Sequence, residues 1–496
     1  MNNDKSGNHT VTDYEKIFHP KKLAIVGVSA EGYGFGSGML SSLLTIGYEG
    51  EIFPVNPKGG EIAGRKIYKT IEEIPGQIDF AVIAVAAPLV ARSLEDCLKK
   101  GAAGAEVLSS GFREIGTPEG RSLEDDIKKV ARKGIRVVGP NCFGIYCPQS
   151  GLTILPGAEF PREGGPVAFL AQSGGMANDF INIGKWLGLR YSKVVSFGNG
   201  ADLRETELLQ YLGDDPETKV ICMYIEGVED GAAFFDVLKQ VTAKKPVIVY
   251  KGGLSEAGQR AVASHTASMG GSKAIWEAIL YQANVVQVAT TWEMAQVSLA
   301  FAMLPERAYK GIAVAGGGGA LGVAACDAAE ANGMELPQLK AETQEKIMAV
   351  LPKPGSSAGN PIDVANPGVP PFILKQVLLH AAEEEKVDLQ ILMQLLYVYK
   401  AIQRRENAKS LREATPTIEL ADMMEDVQKK TGKPAVLVLP NNRQGLNDLD
   451  VEEIRREARE LFLKKNVLAF ENLTDAFHAI GQVSNYYRRR MERTGA

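Results

Sequence analysis

One histidine, His265, stands in a sequence setting that could support nucleophilic chemistry. It lies within a segment rich in glycine, alanine and serine, from Gly252 to Gly271, which follows the predicted end of an apolar strand. We expect this segment to form a loop that can move. A histidine held there could act as a general base, a metal ligand or a nucleophile that accepts a phosphoryl group. No second histidine or cysteine stands at ligand spacing, so the sequence does not support a metal site.

Glu226 is the candidate carboxylate partner of that histidine. A nucleophilic histidine needs one unprotonated ring nitrogen and an acceptor, usually a carboxylate, for the other. Glu226 follows apolar residues at the predicted C-terminal end of a strand, the edge where open α/β sheets place ligand groups. A helix N-cap and a surface carboxylate are the alternative interpretations of this residue.

Three predicted strands run directly into small residues that open a helix. Exposed N–H groups and the helix dipole make such helix starts suitable for binding anions. The second and third of them could supply donors to the oxygens of a phosphohistidine. Their candidate phosphate- or acyl-binding residues are Gln172, Ser173, Gly174 and Gly175, and Gly317, Gly318 and Gly319.

The first helix start, from Gly27 to Gly38, lacks the strict GxGxxG pattern of dinucleotide-binding proteins. After the second strand, an NAD-binding protein should supply an acidic residue for the ribose, but here Asn56, Pro57 and Lys58 follow instead. A lysine at this edge suits an additional phosphate, as on NADP or at the 3′ position of coenzyme A. The alternative is a tight turn with a solvated lysine.

The elements that must position these residues follow an α/β pattern. A chain of 496 residues favours about three domains. Short β-branched runs alternate with helical stretches, which is typical of parallel sheets with crossover helices. The predicted strands are Leu23–Val28, Glu51–Asn56, Phe80–Val85, Ala105–Ser110 and Ile135–Gly139, then Val167–Gln172, Lys193–Phe197, Val220–Glu226, Pro246–Lys251 and Val285–Val288, then Ile312–Ala315, Leu389–Gln394, Ala435–Pro440 and Val467–Glu471.

Composition sets the class of protein. The chain is 45% hydrophobic and 23% charged, and 55 basic against 60 acidic residues give a net charge of −5. No overall positive field would attract nucleic acid or an acidic membrane, so anions must be bound locally, and the 52 glycines are of interest for that reason. The N-terminus has no secretory signal and no segment is predicted to span a membrane, which favours the cytoplasm. Five cysteines without CxxC spacing are predicted to be buried thiols.

Several motifs together resemble the nucleoside-diphosphate-forming acyl-CoA synthetases, the family that includes succinyl-CoA synthetase. The resemblance is to α subunits of its ADP-forming, acetyl-CoA-synthesising members, and it extends from about Tyr14 to Arg490. The motifs that carry it, in chain order, are the Gly27 turn, Asn56-Pro57-Lys58, Gly139-Pro140-Asn141, Gln172-Ser173-Gly174-Gly175, Ser196-Phe197-Gly198-Asn199, Tyr224-Ile225-Glu226-Gly227, Ser264-His265-Thr266 and Asn360-Pro361-Ile362-Asp363.

The resemblance implies an N-terminal Rossmann-type CoA-binding domain followed by two flavodoxin-like ligase domains. With the predicted strands, it divides the chain into an extension (residues 1–20), the CoA-binding domain (21–147), a linker (148–165), the domain of the phosphorylatable histidine (166–304) and a second ligase domain (311–490). It implies that His265 carries the phosphoryl group and Glu226 supports it. It also assigns Gly27, Ser29, Lys58 and the Asn141 loop to CoA, together with Asn56 and Pro57. The implied reaction converts a carboxylic acid, CoA and ATP reversibly to acyl-CoA, ADP and phosphate.

Two departures from the family pattern leave alternatives open. Ala267 stands where the family usually has glycine, and no ATP-grasp domain is recognised. The resemblance therefore implies that ATP and Mg²⁺ bind to a separate β subunit, in a hetero-oligomer or alongside a homodimer of α chains. A non-catalytic CoA-binding regulator of the same fold is the first alternative, and an NADP-dependent oxidoreductase is the second. The sequence does not identify the acid.

Overall fold

The first sheet is parallel and carries the N-terminal βα units. The computed structural model describes residues 12–266, 272–366 and 368–494, except for the side chains of 263–266 and 494. The strand order is β2-β1-β5-β6-β7, and β3 and β4 form a separate antiparallel hairpin. The strands are β1 (Lys22–Val26), β2 (Glu51–Val55), β3 (Gly60–Ile62), β4 (Arg65–Ile67), β5 (Phe80–Ile83), β6 (Gly104–Val107) and β7 (Arg136–Val138), and the helices are α1 (Tyr14–Phe18), α2 (Phe35–Ile46), α3 (Ala87–Lys99) and α4 (Pro118–Ala131), with short 3₁₀ turns at Ile71–Glu73 and Arg113–Ile115.

The second sheet has the order β13-β12-β11-β9-β10-β8 and is parallel except for its edge strand β8. Strand β8 lies in sequence within the predicted first domain, yet it pairs with β10 of the second sheet. The strands are β8 (Gly144–Tyr146), β9 (Gly164–Ala171), β10 (Tyr191–Ser196), β11 (Val220–Ile225), β12 (Val247–Lys251) and β13 (Val286–Val288), and the helices are α5 (Gly174–Leu187), α6 (Glu205–Asp214), α7 (Gly231–Thr242), α8 (Glu256–Thr266), α9 (Lys273–Gln282) and α10 (Thr291–Met303).

The third sheet has the order β15-β14-β16-β17-β18 and is parallel throughout. Its strands are β14 (Ile312–Gly316), β15 (Ile362–Asp363), β16 (Leu389–Met393), β17 (Ala435–Val438) and β18 (Ala469–Phe470). Its helices are α11 (Gly319–Ala331), α12 (Ala341–Val350), α13 (Pro371–Ala382), α14 (Tyr399–Glu406), α15 (Leu411–Ala414), α16 (Thr417–Thr431), α17 (Leu449–Lys464) and α18 (Leu473–Thr494), with 3₁₀ turns at Leu396–Val398 and Leu446–Asp448.

The predicted α/β class with parallel sheets is thus confirmed. The sheets divide into two compact units, one of residues 1–185 and 189–294 and one of residues 186–188 and 295–496. In the first unit, one apolar core includes residues from both sheets, such as Leu23 and Val82 of the first and Leu170 and Ile221 of the second. The two N-terminal sheets therefore bury apolar surface in common.

Helix α1 belongs to this core, although residues 1–20 are predicted as an extension. Ile17 and Phe18 are fully buried, and the rings of Tyr14 and Phe18 stack on Tyr211 of α6. Helix α1 is too short for its apolar residues to show a helical period in the sequence.

The cysteine prediction is correct for four residues and wrong for the fifth. Cys97, Cys142, Cys147 and Cys222 are buried, whereas Cys326 is exposed on α11. Helix α11 is rich in alanine and apolar on all sides, so its sequence pattern does not reveal which face is covered.

Glu106 is a buried carboxylic acid between the first two sheets. Its side chain on β6 accepts a hydrogen bond from the N–H of Ile145 on β8 at 2.9 Å. Burial raises the pKa of Glu106 to about 8, although the hydrogen bond from Ile145 lowers it by a smaller amount. The group is therefore protonated in the folded protein at pH values where the unfolded chain has lost that proton.

We expect Glu106→Gln to remove part of the pH dependence of stability. Between its ordinary pKa and about 8, Glu106 binds more protons in the folded state, so its contribution to stability falls as the pH rises through that range. Glutamine keeps the acceptor but cannot ionise. The variant should gain about 3 kcal/mol relative to wild type between pH 5 and pH 8 in denaturant titrations. The exposed variant Glu51→Gln is the control, and an equal change in both variants would contradict the assignment.

Candidate active site

The first helix start forms a tight turn at the carboxyl end of β1. Gly27 has φ +103°, and a Cβ at this position would lie 2.2 Å from the carbonyl oxygen of Ala84. Its N–H donates to the carbonyl oxygen of Val55 at 2.9 Å. Gly36 of α2 also makes a close approach, since a Cβ there would lie 2.6 Å from the Gly27 carbonyl oxygen. The glycines therefore bring the start of α2 against the ends of β1 and β2.

The predicted polar residues of the CoA side meet around this turn. The hydroxyl of Ser29 donates to the carboxylate of Glu31, and the N–H of Lys58 donates to Oδ1 of Asn56 at 3.0 Å. The Ser29 hydrogen bond and the charge of Lys58 lower the pKa of the Glu31 carboxyl. Ser29 and Lys58 therefore both act on the carboxylate of Glu31. Pro57, between Asn56 and Lys58, is exposed. Glu31 is not predicted from the sequence as a site residue, since nothing in its spacing marks it.

Asn141 lies at the junction of the first two sheets. Its Nδ2 is 3.4 Å from Oδ1 of Asn199, and a Cβ on Gly198 would lie 2.2 Å from its carbonyl oxygen. Asn199 in turn donates to the carboxylates of Glu114 at 2.6 Å and Glu124 at 2.9 Å. The side chain of Asn141 thus contacts Asn199 of the second sheet rather than the Gly27 turn.

Glu226 follows β11 at the carboxyl edge of the second sheet and is buried. The hydroxyl of Tyr224 donates to its Oε1 at 3.2 Å. Burial, followed by the charge of Glu226, raises the pKa of Tyr224, which keeps this hydroxyl protonated as a donor. Of the two alternatives for Glu226, the surface carboxylate is wrong, because the side chain is 6% exposed.

Gln172, at the end of β9, holds the backbone of Glu226. Its Oε1 accepts from the N–H groups of Glu226 and of Gly227, the latter at 3.0 Å. Its Nε2 donates to the carbonyl oxygen of Gly227 at 2.8 Å. The amide therefore fixes the path of the chain at Glu226, a role that the sequence does not indicate.

Helix α5 follows β9, the strand that pairs with β11, and it therefore starts near the carboxylate of Glu226. The hydroxyl of Ser173 accepts from the N–H of Met176 at 3.4 Å and caps the helix. A Cβ on Gly174 would lie 2.5 Å from the ring of Phe143, so only glycine fits there, and Gly175 is exposed. Because β9 and β11 are paired and parallel, the start of α5 and Glu226 lie at the same edge of the sheet.

His265 lies in the last turn of α8, and its side chain is outside the described residues, as is Ala267. The prediction of a loop is wrong for residues 256–266, which form this helix. Alanine, arginine, glutamine and glutamate favour a helix there more strongly than the single glycine, Gly258, opposes it. Helix α8 lies beside Arg113–Ile115, which follows β6 of the first sheet. The histidine-bearing helix therefore adjoins the carboxyl edge of the first sheet.

The third glycine turn follows β14 in the other compact unit. Gly318 has φ +107°, and its N–H donates to Oδ1 of Asp363, at the end of β15, at 3.3 Å. A Cβ on Gly316 would lie 2.7 Å from Cβ of Met393 on β16. Gly317 is buried, whereas Gly318 and Gly319, where α11 begins, are exposed. This turn therefore lies at the carboxyl edge of its own sheet, as predicted.

The described residues contain no group of three or more potential metal ligands from histidine, cysteine, aspartate and glutamate.

None of the described helices is both long enough and apolar enough to span a bilayer.

Two family models match the chain. Residues 21–148 match a CoA-binding domain, and residues 164–301 match a flavodoxin-like domain of the succinyl-CoA ligase type. The boundaries of these matches fall on either side of the segment that joins β8 to β9.

Relatives with assigned names cover most of the chain. It is 42% identical over 359 residues to the α subunit of acetate–CoA ligase (ADP-forming) I of Pyrococcus furiosus. The matched region covers 71% of this chain and 76% of the relative. It is 37% identical over 361 residues to the acetate–CoA ligase (ADP-forming) of Methanocaldococcus jannaschii. This matched region covers 72% of this chain but 50% of the relative.

A solved structure has the same architecture. Acetyl-coenzyme A synthetase 1 of Candidatus Korarchaeum cryptofilum, in complex with phosphate and ADP, matches with a TM-score of 0.82 and 30% identity. The match covers 98% of this chain and 99% of that one.

Proposed function

The chain belongs to the family of ADP-forming acyl-CoA synthetases, which are acid–thiol ligases, and on this premise we propose that it is the subunit or segment that forms the acyl-CoA. It would convert a carboxylic acid, CoA and ATP reversibly to acyl-CoA, ADP and phosphate. His265 would carry the phosphoryl group, and Glu226 would orient the imidazole.

The single observation that carries this proposal is the buried carboxylate of Glu226. It lies at a sheet edge beside a helix start suited to phosphate, with Tyr224 and Gln172 fixing its position. A carboxylate in this setting can accept a hydrogen bond from one imidazole nitrogen, which leaves the other unprotonated for attack. The same carboxylate would stabilise the positive charge that develops on the ring as the phosphorus–nitrogen bond forms.

The proposed reaction has three transfers. An imidazole nitrogen of His265 attacks the γ-phosphorus of ATP, and ADP leaves. A carboxylate oxygen of the acid then attacks the phosphorus of the phosphohistidine, giving an acyl phosphate and the free imidazole. The sulfur of CoA, after losing its proton, attacks the acyl carbon, and inorganic phosphate leaves. The N–H groups at the start of α5 would bind the phosphate oxygens during these steps. Those of the Gly316–Gly319 turn are a second candidate for binding an anion, within the other compact unit.

CoA would bind to the first sheet at the Gly27 turn. Ser29, Asn56 and Pro57 would contact the nucleotide part, the ammonium of Lys58 would meet the 3′-phosphate, and Asn141 would lie towards the reacting end. Tyr33 and Phe35 are 80% and 65% exposed in the same turn and offer ring faces to the adenine base.

We expect Lys58→Ala to weaken the binding of CoA about tenfold, because an ammonium–phosphate contact at an exposed site contributes little more than 1 kcal/mol. The affinity for dephospho-CoA, which lacks the 3′-phosphate, should not change. Isothermal titration calorimetry with both ligands makes the comparison, and Lys99→Ala, at the exposed C-terminal end of α3, is the control. Equal weakening of both ligands would contradict the contact with the 3′-phosphate.

ATP and its Mg²⁺ would be bound by an ATP-grasp β subunit or an equivalent domain. The name of the Pyrococcus relative, an α subunit, favours a separate partner, whereas the Methanocaldococcus relative is about twice as long as the segment it shares. The assembly would be a hetero-oligomer or contain a homodimer of this chain. The use of ATP and CoA favours a cytoplasmic location.

The proposal is tested by combining the purified chain with an ATP-grasp partner, ATP, Mg²⁺, CoA and a panel of carboxylic acids. Acyl-CoA and ADP should form in equal amounts, and both the partner and this chain should be required. If CoA binds but no acid is converted with any partner, the chain is instead a CoA-binding regulator. Binding of NADP in place of CoA would favour the oxidoreductase and overturn the proposal.

A further inference from the structure

Lys251, the last residue of β12, has a buried ammonium group. Its Nζ donates to the carbonyl oxygen of Glu226 at 2.7 Å and to that of Gly252. It also lies 4.9 Å from the centre of the Trp276 ring. These contacts are with the end of β11, the turn that leads into α8, and α9. Because α9 follows α8 in the chain, the ammonium connects Glu226 to both sides of the segment that carries His265.

Burial of an ammonium is costly, and an unbranched apolar side chain could occupy the same space without that cost. Burial lowers the pKa of Lys251 to about 8, while the charge of Glu226 acts in the opposite direction. The charged side chain that acts on it is Glu226, which follows β11, whereas α9 presents the ring of Trp276. Lys251 therefore keeps its charge at neutral pH through contacts that all converge on one region.

Resting on the phosphohistidine chemistry proposed above, we propose that Lys251 is a positioning residue for phosphoryl transfer. It holds the main chain of Glu226 against the entrance to α8 and the ring of Trp276. The main chain that carries the Glu226 carboxylate is thereby fixed relative to the two ends of the segment that carries His265. Lys251 acts through these two residues rather than on the phosphate.

The test uses the full chain and acetyl phosphate labelled at phosphorus, and it measures the rate at which acid-labile, base-stable label is incorporated. Lys251→Met should be labelled about 30-fold more slowly, because a misplacement of about 1 Å in such a site is expected to have an effect of this order. Lys251→Arg, which retains the charge and the donors, should stay within about fivefold of wild type. The control Lys244→Met removes an exposed lysine that pairs with Asp214 and should be labelled normally. The CoA affinity of all variants should remain within about twofold of wild type, because Lys251 is not placed near the Gly27 turn.

A pH profile separates positioning by the charge from simple packing. The labelling rate of wild type should fall as the pH rises through about 8, where Lys251 loses its proton. The rate of Lys251→Arg should not fall in this range, because arginine stays charged.

Two results would overturn the inference: labelling of Lys251→Met at the wild-type rate, or an identical alkaline decline in wild type and Lys251→Arg. If Lys251→Met fails to fold, the two pH profiles decide the matter, and an arginine variant that also fails to fold counts against a role for the charge. Absence of label in wild type, with acetyl phosphate and also with ATP and a partner, would instead contradict the proposed function.

Discussion

His265→Ala should lower acyl-CoA synthesis by about ten-thousand-fold or more, because the loss of an obligatory covalent carrier removes the reaction path itself. Without the imidazole, the phosphoryl group cannot leave ATP for the acid through this chain. The measurement combines the variant with its ATP-grasp partner and ATP labelled in the γ-phosphate. The acid-labile, base-stable label found in wild type should be absent from the variant.

The matched control for this experiment is His380→Ala. His380 lies on α13, which packs with the third sheet, and its Nδ1 is 3.0 Å from the carboxylate of Glu383, the residue that directly follows this helix. This variant should incorporate label and form acyl-CoA at wild-type rates. CoA binding should be unchanged in both variants, because neither histidine belongs to the Gly27 turn. Retention of label by His265→Ala would mean that another residue carries the phosphoryl group.

Glu226→Gln should slow phosphorylation of His265 by about 100- to 1,000-fold, mainly through the maximal rate rather than through KM. Glutamine has the same shape and can still accept the hydrogen bond from Tyr224. It lacks the negative charge that stabilises the phosphorylated ring, and its NH₂ group can favour the wrong imidazole tautomer. Rapid-quench kinetics with labelled ATP and the partner give the two parameters separately.

Glu229→Gln is the control for the Glu226 experiment. Glu229 lies only three residues after Glu226 in the chain. Its side chain is 62% exposed and forms an ion pair with Arg204. This variant should be phosphorylated at nearly the wild-type rate. Equal loss of thermal stability in both variants, together with an equal loss of rate, would indicate a packing role for Glu226 instead of support of the imidazole.

The longer strands are predictable from the sequence because each is a continuous apolar run. Parallel strands covered by helices on both faces bury every side chain, as in β5 and β16. The edge strand β8 and the two-residue strand β15 are not predictable in this way. They are too short to show periodicity, and their pairing depends on distant partners, for example Val194 with Tyr146.

The same division holds for the candidate site. Residue types and strand ends single out Glu226, Lys58 and the three glycine turns, since these features are local. They do not reveal that Gln172 holds the backbone of Glu226, or that Lys251 reaches both Glu226 and Trp276. Such contacts join residues from different strands and helices, which the order of the chain does not place together.

By itself, the sequence determines the class of fold, the helix starts that can bind anions, and the histidine and carboxylate that could perform the chemistry. Local hydrophobic patterns and side-chain types are sufficient for these. Only the tertiary structure decides that the first two sheets share a core, that α8 lies beside the first sheet, and that Glu226 is buried. Burial and hydrogen bonding depend on which elements pack together, and those contacts form between residues far apart in the chain.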